Sequence, residues 1–94
     1  MIIDVHTHAW QYPDHFTDDF RAQGRRAKGG GDLDLTVTLD AYNATGGKRA
    51  DRVVVFGGKA RLSGLWVDDD YVATYVAQDP QRLIGFLSVD PTQP

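Results

Sequence analysis

With 94 residues, 41% of them hydrophobic, and a formal net charge of -3, the chain has the composition of a small, mildly acidic globular domain. Thirteen acidic side chains against ten Lys and Arg exclude a global nucleic-acid footprint, and the lack of cysteine excludes a disulfide framework, a thiolate metal site and a cysteine nucleophile. The opening MIIDVHTHAW has neither a basic n-region nor an apolar run of signal-peptide length, and no stretch approaches the ~20 apolar residues of a membrane span, so a soluble cytoplasmic chain is expected.

Three apolar runs predict strands, near residues 1–8, 52–57 and 83–89. RVVVF is unbroken, and LIGFLSV is interrupted only by Gly85 and Ser88, patterns that suit strands covered on both faces as in a parallel sheet. Between the first two runs, Phe16 and Phe20 at i, i+4 suggest a helix within residues 14–27, and Gly29, Gly30 and Gly31 follow it as a flexible joint. A second helix is predicted over residues 37–45, with Val37, Ala41 and Ala44 on one face and Gly46-Gly47 as its stop. The clearest helix follows the acidic triplet Asp68, Asp69 and Asp70, read as a capping cluster: Tyr71 and Val72 repeat at Tyr75 and Val76, and Pro80 ends it. Strands alternating with helices imply parallel strands joined by right-handed crossovers in an α/β fold.

The end of the first strand carries the chemistry. In a regular strand Ile2, Asp4, His6 and His8 share one face, a poor set to bury unpaired. Imidazoles at i and i+2 stand about 6.6 Å apart at Cα and, tilted together, can present two nitrogens to one ion at the ~2.0–2.1 Å of zinc coordination. The carboxyl end of a parallel strand is also where barrel and open-sheet enzymes build their sites.

These residues, with DRVVVFGGKA in the middle and DDDYVATYVAQDPQRLIGFLSVDP at the end, resemble the N-terminal part of the amidohydrolase 2 family. That family lies within the metal-dependent amidohydrolase superfamily and includes decarboxylases of the aminocarboxymuconate-semialdehyde type. The resemblance implies a (β/α)8 TIM barrel whose first strand ends in the H-x-H pair, here His6 and His8, as ligands of a divalent metal, usually zinc. It implies further ligands, histidines and an aspartate, from later strands. A whole barrel takes about 250 residues, so residues 1–94 are expected to be the first three βα units of a single incomplete barrel domain. His15, in the first loop, does not stand in for the later ligands.

For the other residues two readings stay open. Asp4 would support the pair from below by hydrogen bonding rather than ligate. Trp10 would form an aromatic wall above the metal or simply pack. Lys59 would reach a substrate carboxylate or be a solvated loop lysine. Asp90, in SVDP, reads first as a turn residue. Gly57 and Gly58 lack a phosphate-binding pattern. Arg21, Arg25, Arg26 and Lys28 form a local basic cluster, a solvated surface or an anion-steering rim.

The functions implied by the resemblance are hydrolysis of a carbonyl-type carbon by metal-activated water or, on the same two histidines, decarboxylation of a small carboxylate or carbonyl substrate. The alternative of a different class is a truncated, non-catalytic βα module that associates with itself or a partner, because an incomplete barrel leaves sheet edges and apolar faces open.

Overall fold

A computed structural model describes residues 1–31 and 34–93. In it the three apolar runs pair as one parallel sheet. The elements in chain order are β1 (Ile3–His8), α1 (Asp18–Lys28), α2 (Leu39–Ala44), β2 (Arg52–Phe56), β3 (Lys59–Ala60), β4 (Leu65–Trp66), α3 (Asp69–Val76) and β5 (Leu83–Gly85). Sheet order is β1-β2-β5, all parallel, and β3 and β4 form a separate small antiparallel hairpin.

The helices start where their caps dictate. The Thr17 hydroxyl accepts from the Phe20 amide and begins α1 later than predicted, leaving Phe16 outside the helix in a bridge to Leu65; the Phe16 and Phe20 rings still meet at 4.7 Å. Thr38 caps α2 in the same way through the Ala41 amide, and Gly46, at φ 107°, follows its end. The predicted apolar face of α2 is corrected: Ala41 and Ala44 are exposed, and Leu39 and Tyr42 turn to the core, because larger side chains gain more from burial there. In α3 the buried residues are Val72 and Tyr75, with Tyr71 and Val76 packed beside them.

The core is a cluster of Ala9, Ala50, Val53, Val55, Val67, Val72, Tyr75 and Leu83 between the sheet and the helices. At the amino end of the sheet, Arg82 ties the pieces together: its guanidinium donates to the carbonyls of Ala50 (2.8 Å) and Gly47 (2.6 Å) and to Asn43 Oδ1 (2.9 Å). Such charge-assisted bonds satisfy carbonyls left over where α2 and β2 begin and end.

Two expectations about the strands are overturned. Among the described residues the strands are covered by helices on one face only. Both α2 and α3 pack on the same side, as right-handed crossovers require when strand order runs 1-2-5 without reversing. The other face leaves Ile3 53%, Val5 66%, Ile84 42% and Phe86 49% exposed. No closed barrel forms among the described residues.

The third strand is also shorter than residues 83–89. Phe86 N still donates to Val55 O at 2.9 Å, but β2 ends at Phe56, so the ladder has no further partner. Asp69 and Asp90 hold the segment that follows instead: Ser88 N donates to Asp69 Oδ1, and Asp90 accepts from the Arg61 amide at 2.7 Å.

Candidate metal centre

The histidines owe their placement to a fault in β1. Asp4 pairs with Val53, yet Thr7 pairs with Val55, so three steps along β1 match two along β2, the signature of a β-bulge. Paired residues share a face, which puts Asp4 on the helix side with Val53, and His8 on the open side with Phe56. The expectation that Asp4 shares the face of His6 and His8 is therefore corrected.

Asp4 supports the bulge from the helix side. Its Oδ1 accepts from the His6 amide at 3.2 Å, and its Oδ2 accepts from the Tyr42 hydroxyl at 2.6 Å. Burial, the bond to Asp4 and the nearby negative charge push the Tyr42 phenol up from 10.0 to about 12. Tyr42 was not a sequence candidate, and its only signal was an aromatic hydroxyl on a short helix.

On the open face, His6 Nε2 and His8 Nε2 lie 3.1 Å apart, with ring centroids 5.0 Å apart and planes inclined by 59°. Two nitrogens at that separation, each ~2.05 Å from a shared ion, would subtend roughly 100° at it, close to a tetrahedral angle. His8 Nδ1 lies 3.3 Å from the Gly57 carbonyl. A proton on Nδ1 serves that carbonyl and leaves Nε2 as the lone-pair nitrogen.

Gly57 itself is required by close packing rather than by a phosphate: a Cβ there would lie 2.6 Å from Val67 Cγ1.

Aromatic rings fix the pair. Trp10 stacks on His8 at 4.4 Å and 18°, and Phe56 meets His6 edge-on at 5.5 Å. Trp10 packs, both on His8 and against the core cluster. Phe56, unremarked in the sequence, was findable from strand alternation alone, because it is the residue of β2 next to Val55 on the opposite face.

The remaining candidates serve other ends. Lys59 is not a solvated lysine: its ammonium pairs with Asp69 Oδ2 at 2.9 Å, with 15% of its side chain exposed, and lies 5.5 Å from the centre of the Trp66 ring. The bond from Lys59 holds the Asp69 carboxyl below its usual range. Asp68 makes no side-chain cap bond and instead accepts from Trp66 Nε1 at 3.1 Å, so the acidic triplet is more than a cap cluster. His15 Nδ1 accepts from the Gln11 amide at 2.8 Å, and its ring meets Tyr71 edge-on, which makes it a turn-setting residue; burial lowers its pKa. Asp90 is the turn residue expected, accepting from the amide and hydroxyl of Thr92 and from the Arg61 amide, and these bonds lower its pKa.

Of the basic cluster, Arg21 pairs with Asp18 within α1, and Arg25 and Arg26 are exposed at the helix's carboxyl-terminal turn, where positive charge suits the helix dipole.

Among the described residues, no group of three or more His, Cys, Asp or Glu is placed to hold a metal. The donor set fits two positions of a zinc site and leaves the others open. No helix among the described residues is long and apolar enough to cross a membrane. No family model matches this chain, and none of the curated proteins or solved structures matches it either.

Proposed function

We propose that this chain is the amino-terminal part of a metal-dependent hydrolase of the amidohydrolase type, with His6 and His8 as two of its metal ligands. The observation that carries the reading is the 3.1 Å approach of the two Nε2 atoms at the carboxyl end of β1, with His8 Nδ1 3.3 Å from the Gly57 carbonyl, which a proton on Nδ1 would serve. A sheet wound in one direction only, with helices on one side, further supports the first units of a (β/α)8 barrel, because a doubly wound sheet would reverse its order and cover both faces. A divalent metal at this point would supply Lewis acidity and ionise a bound water toward a pKa of ~7.

Each residue then has a part to play. His6 and His8 hold two coordination positions, Trp10 and Phe56 fix the ring planes, and Asp4 with Tyr42 keeps the bulge that points both rings the same way. Trp10 would form one wall of the site for a small carboxylate or carbonyl substrate. Lys59 is the weaker candidate for binding such a carboxylate, because Asp69 already engages its ammonium. Decarboxylation on the same two ligands is the sister reading, differing in groups that later strands would bring.

Titration of the purified chain with zinc or cobalt(II), followed by calorimetry, tests the ligand assignment. Heat of binding is expected for the native chain and for His15→Ala, and none for a His6→Ala, His8→Ala double variant. Binding that survives the double variant would sink the assignment.

A further inference from the structure

We infer that the β3–β4 hairpin is the positioning element of the candidate metal centre. Acting through Gly57 and Trp10, it fixes His8 as a ligand ready for the ion and leaves His6 as the ligand that must move its proton. The metal-binding arm of this inference rests on the reading of His6 and His8 as ligands, and the proton placement in the metal-free chain goes beyond it.

The protons follow from the partners. A peptide carbonyl only accepts, so the 3.3 Å contact between His8 Nδ1 and the Gly57 carbonyl calls for a proton on Nδ1. A neutral imidazole protonated there has its lone pair on Nε2. The 3.1 Å contact between the two Nε2 atoms then takes its proton from His6. A shared ion needs both Nε2 lone pairs, so His8 can bind as it stands. His6 must give up its Nε2 proton to water and take one up on Nδ1, with no net release.

Two supports hold His8, and both lead to the hairpin. The first is Gly57. Val67, which follows β4 and is fully buried, sits so close that a Cβ on residue 57 would lie 2.6 Å from its Cγ1 and 2.7 Å from its Cβ. Val67 N also donates to the Gly58 carbonyl at 2.9 Å, so the exit of β4 clamps the backbone that His8 meets. The second support is Trp10, stacked on the His8 ring. Trp10 in turn meets Phe16 edge-on at 5.7 Å, and Phe16 bridges to Leu65 of β4. Thr17 N donates to the Gly64 carbonyl at 2.9 Å and Trp66 N to the His15 carbonyl at 3.0 Å, which stitches the first loop to the hairpin. The side chains of Phe16, Leu65 and Val67 have no metal-binding atom, so they act through His8.

The experiment is long-range proton–nitrogen correlation NMR of the isotope-labelled chain at a pH where the rings are neutral, with zinc calorimetry alongside. Without metal, His8 should show the Nδ1–H pattern and His6 the Nε2–H pattern. With zinc, His6 should change to Nδ1–H and His8 should not. Gly57→Ala should weaken zinc binding by about 10–100-fold, the range for groups that orient a metal ligand, and give His8 a mixed pattern. Val67→Ala, which keeps the glycine, should move both readouts the same way by less. Leu83→Ala, which weakens the core from β5, should leave the His8 pattern as it is, separating a lost bond from a general loss of stability; an equal disturbance there would overturn the hairpin's role. Finding His8 as Nε2–H in the native metal-free chain would overturn the inference whatever zinc does. Native zinc affinity in a folded Gly57→Ala chain would overturn the positioning and leave both ligands standing. The expected metal-free pattern in a chain that ignores zinc would support the placement of His8 and overturn the ligand reading instead.

Discussion

Leu83 and Ile84 are adjacent residues of equal size on β5, yet the first is 3% exposed and the second 42%. Leu83 lies beneath the helices in the cluster with Val72 and Tyr75, whereas Ile84 pairs with Val54 on the face that no helix covers among the described residues. The same strand therefore has a finished side and an unfinished one. The cause is topological, because every crossover of a singly wound sheet lands on the same side. The finished side holds the fold together, and the unfinished side carries the histidines. Chemistry placed opposite the core can be altered with little cost to folding.

The sharpest way to break this contrast is to truncate the two neighbours. Leu83→Ala is expected to lose about 2–5 kcal/mol by removing buried methyl groups and leaving a cavity. Ile84→Ala should lose less than about 1 kcal/mol, since much of its surface is already in water. Urea unfolding at low protein concentration measures both. Equal losses would mean that the open face is covered in solution.

A smaller effect probes the hinge between the faces. The Tyr42 hydroxyl bonded to Asp4 secures the bulge that separates Asp4 from the histidines. Tyr42→Phe should cost about 1 kcal/mol, a value reduced from that of a fully buried charged bond because Tyr42 is partly exposed.

The pH dependence follows from the same phenol, raised first by burial and then by its bond to Asp4. With the folded phenol at about 12 and the ordinary value 10.0, the folded state holds the proton more tightly, so this contribution is complete below pH 10 and is lost as pH rises toward 12. Ultraviolet titration of the native chain and of Asp4→Asn checks it, the variant being expected to titrate closer to 10.0.

The smallest expected effects are in acid, away from the sheet faces. The carboxyls of Asp69 and Asp90 titrate below their ordinary 3.8, so their stabilisation is present above that value and fades as pH falls through their lower folded values. Asp90→Asn should flatten the acid limb of a stability profile. Unchanged acid sensitivity would remove Asp90 from the account.

Much of this was legible in the residues. The RVVVF run predicted a buried strand because only apolar side chains tolerate the centre of a sheet. Thr17 and Thr38 were not identified as caps, and α1 and α2 consequently start later than the apolar spacing suggested. The β3–β4 hairpin went unread because two-residue strands carry too little periodicity to register. Arg82 also escaped notice, since nothing local reveals that a loop arginine will meet the carbonyls of Gly47 and Ala50 from a distant part of the chain.

The sequence by itself determined the strand–helix alternation, the i, i+2 spacing of His6 and His8 and the absence of any thiolate chemistry, because backbone periodicity and side-chain identity are local properties. Only the tertiary structure decided that a bulge would divert Asp4 to Tyr42, that Asp69 would claim Lys59, and that the two imidazole nitrogens would meet on an uncovered face. Those outcomes depend on register between strands about fifty residues apart, where a shift of one residue exchanges the two faces of a strand.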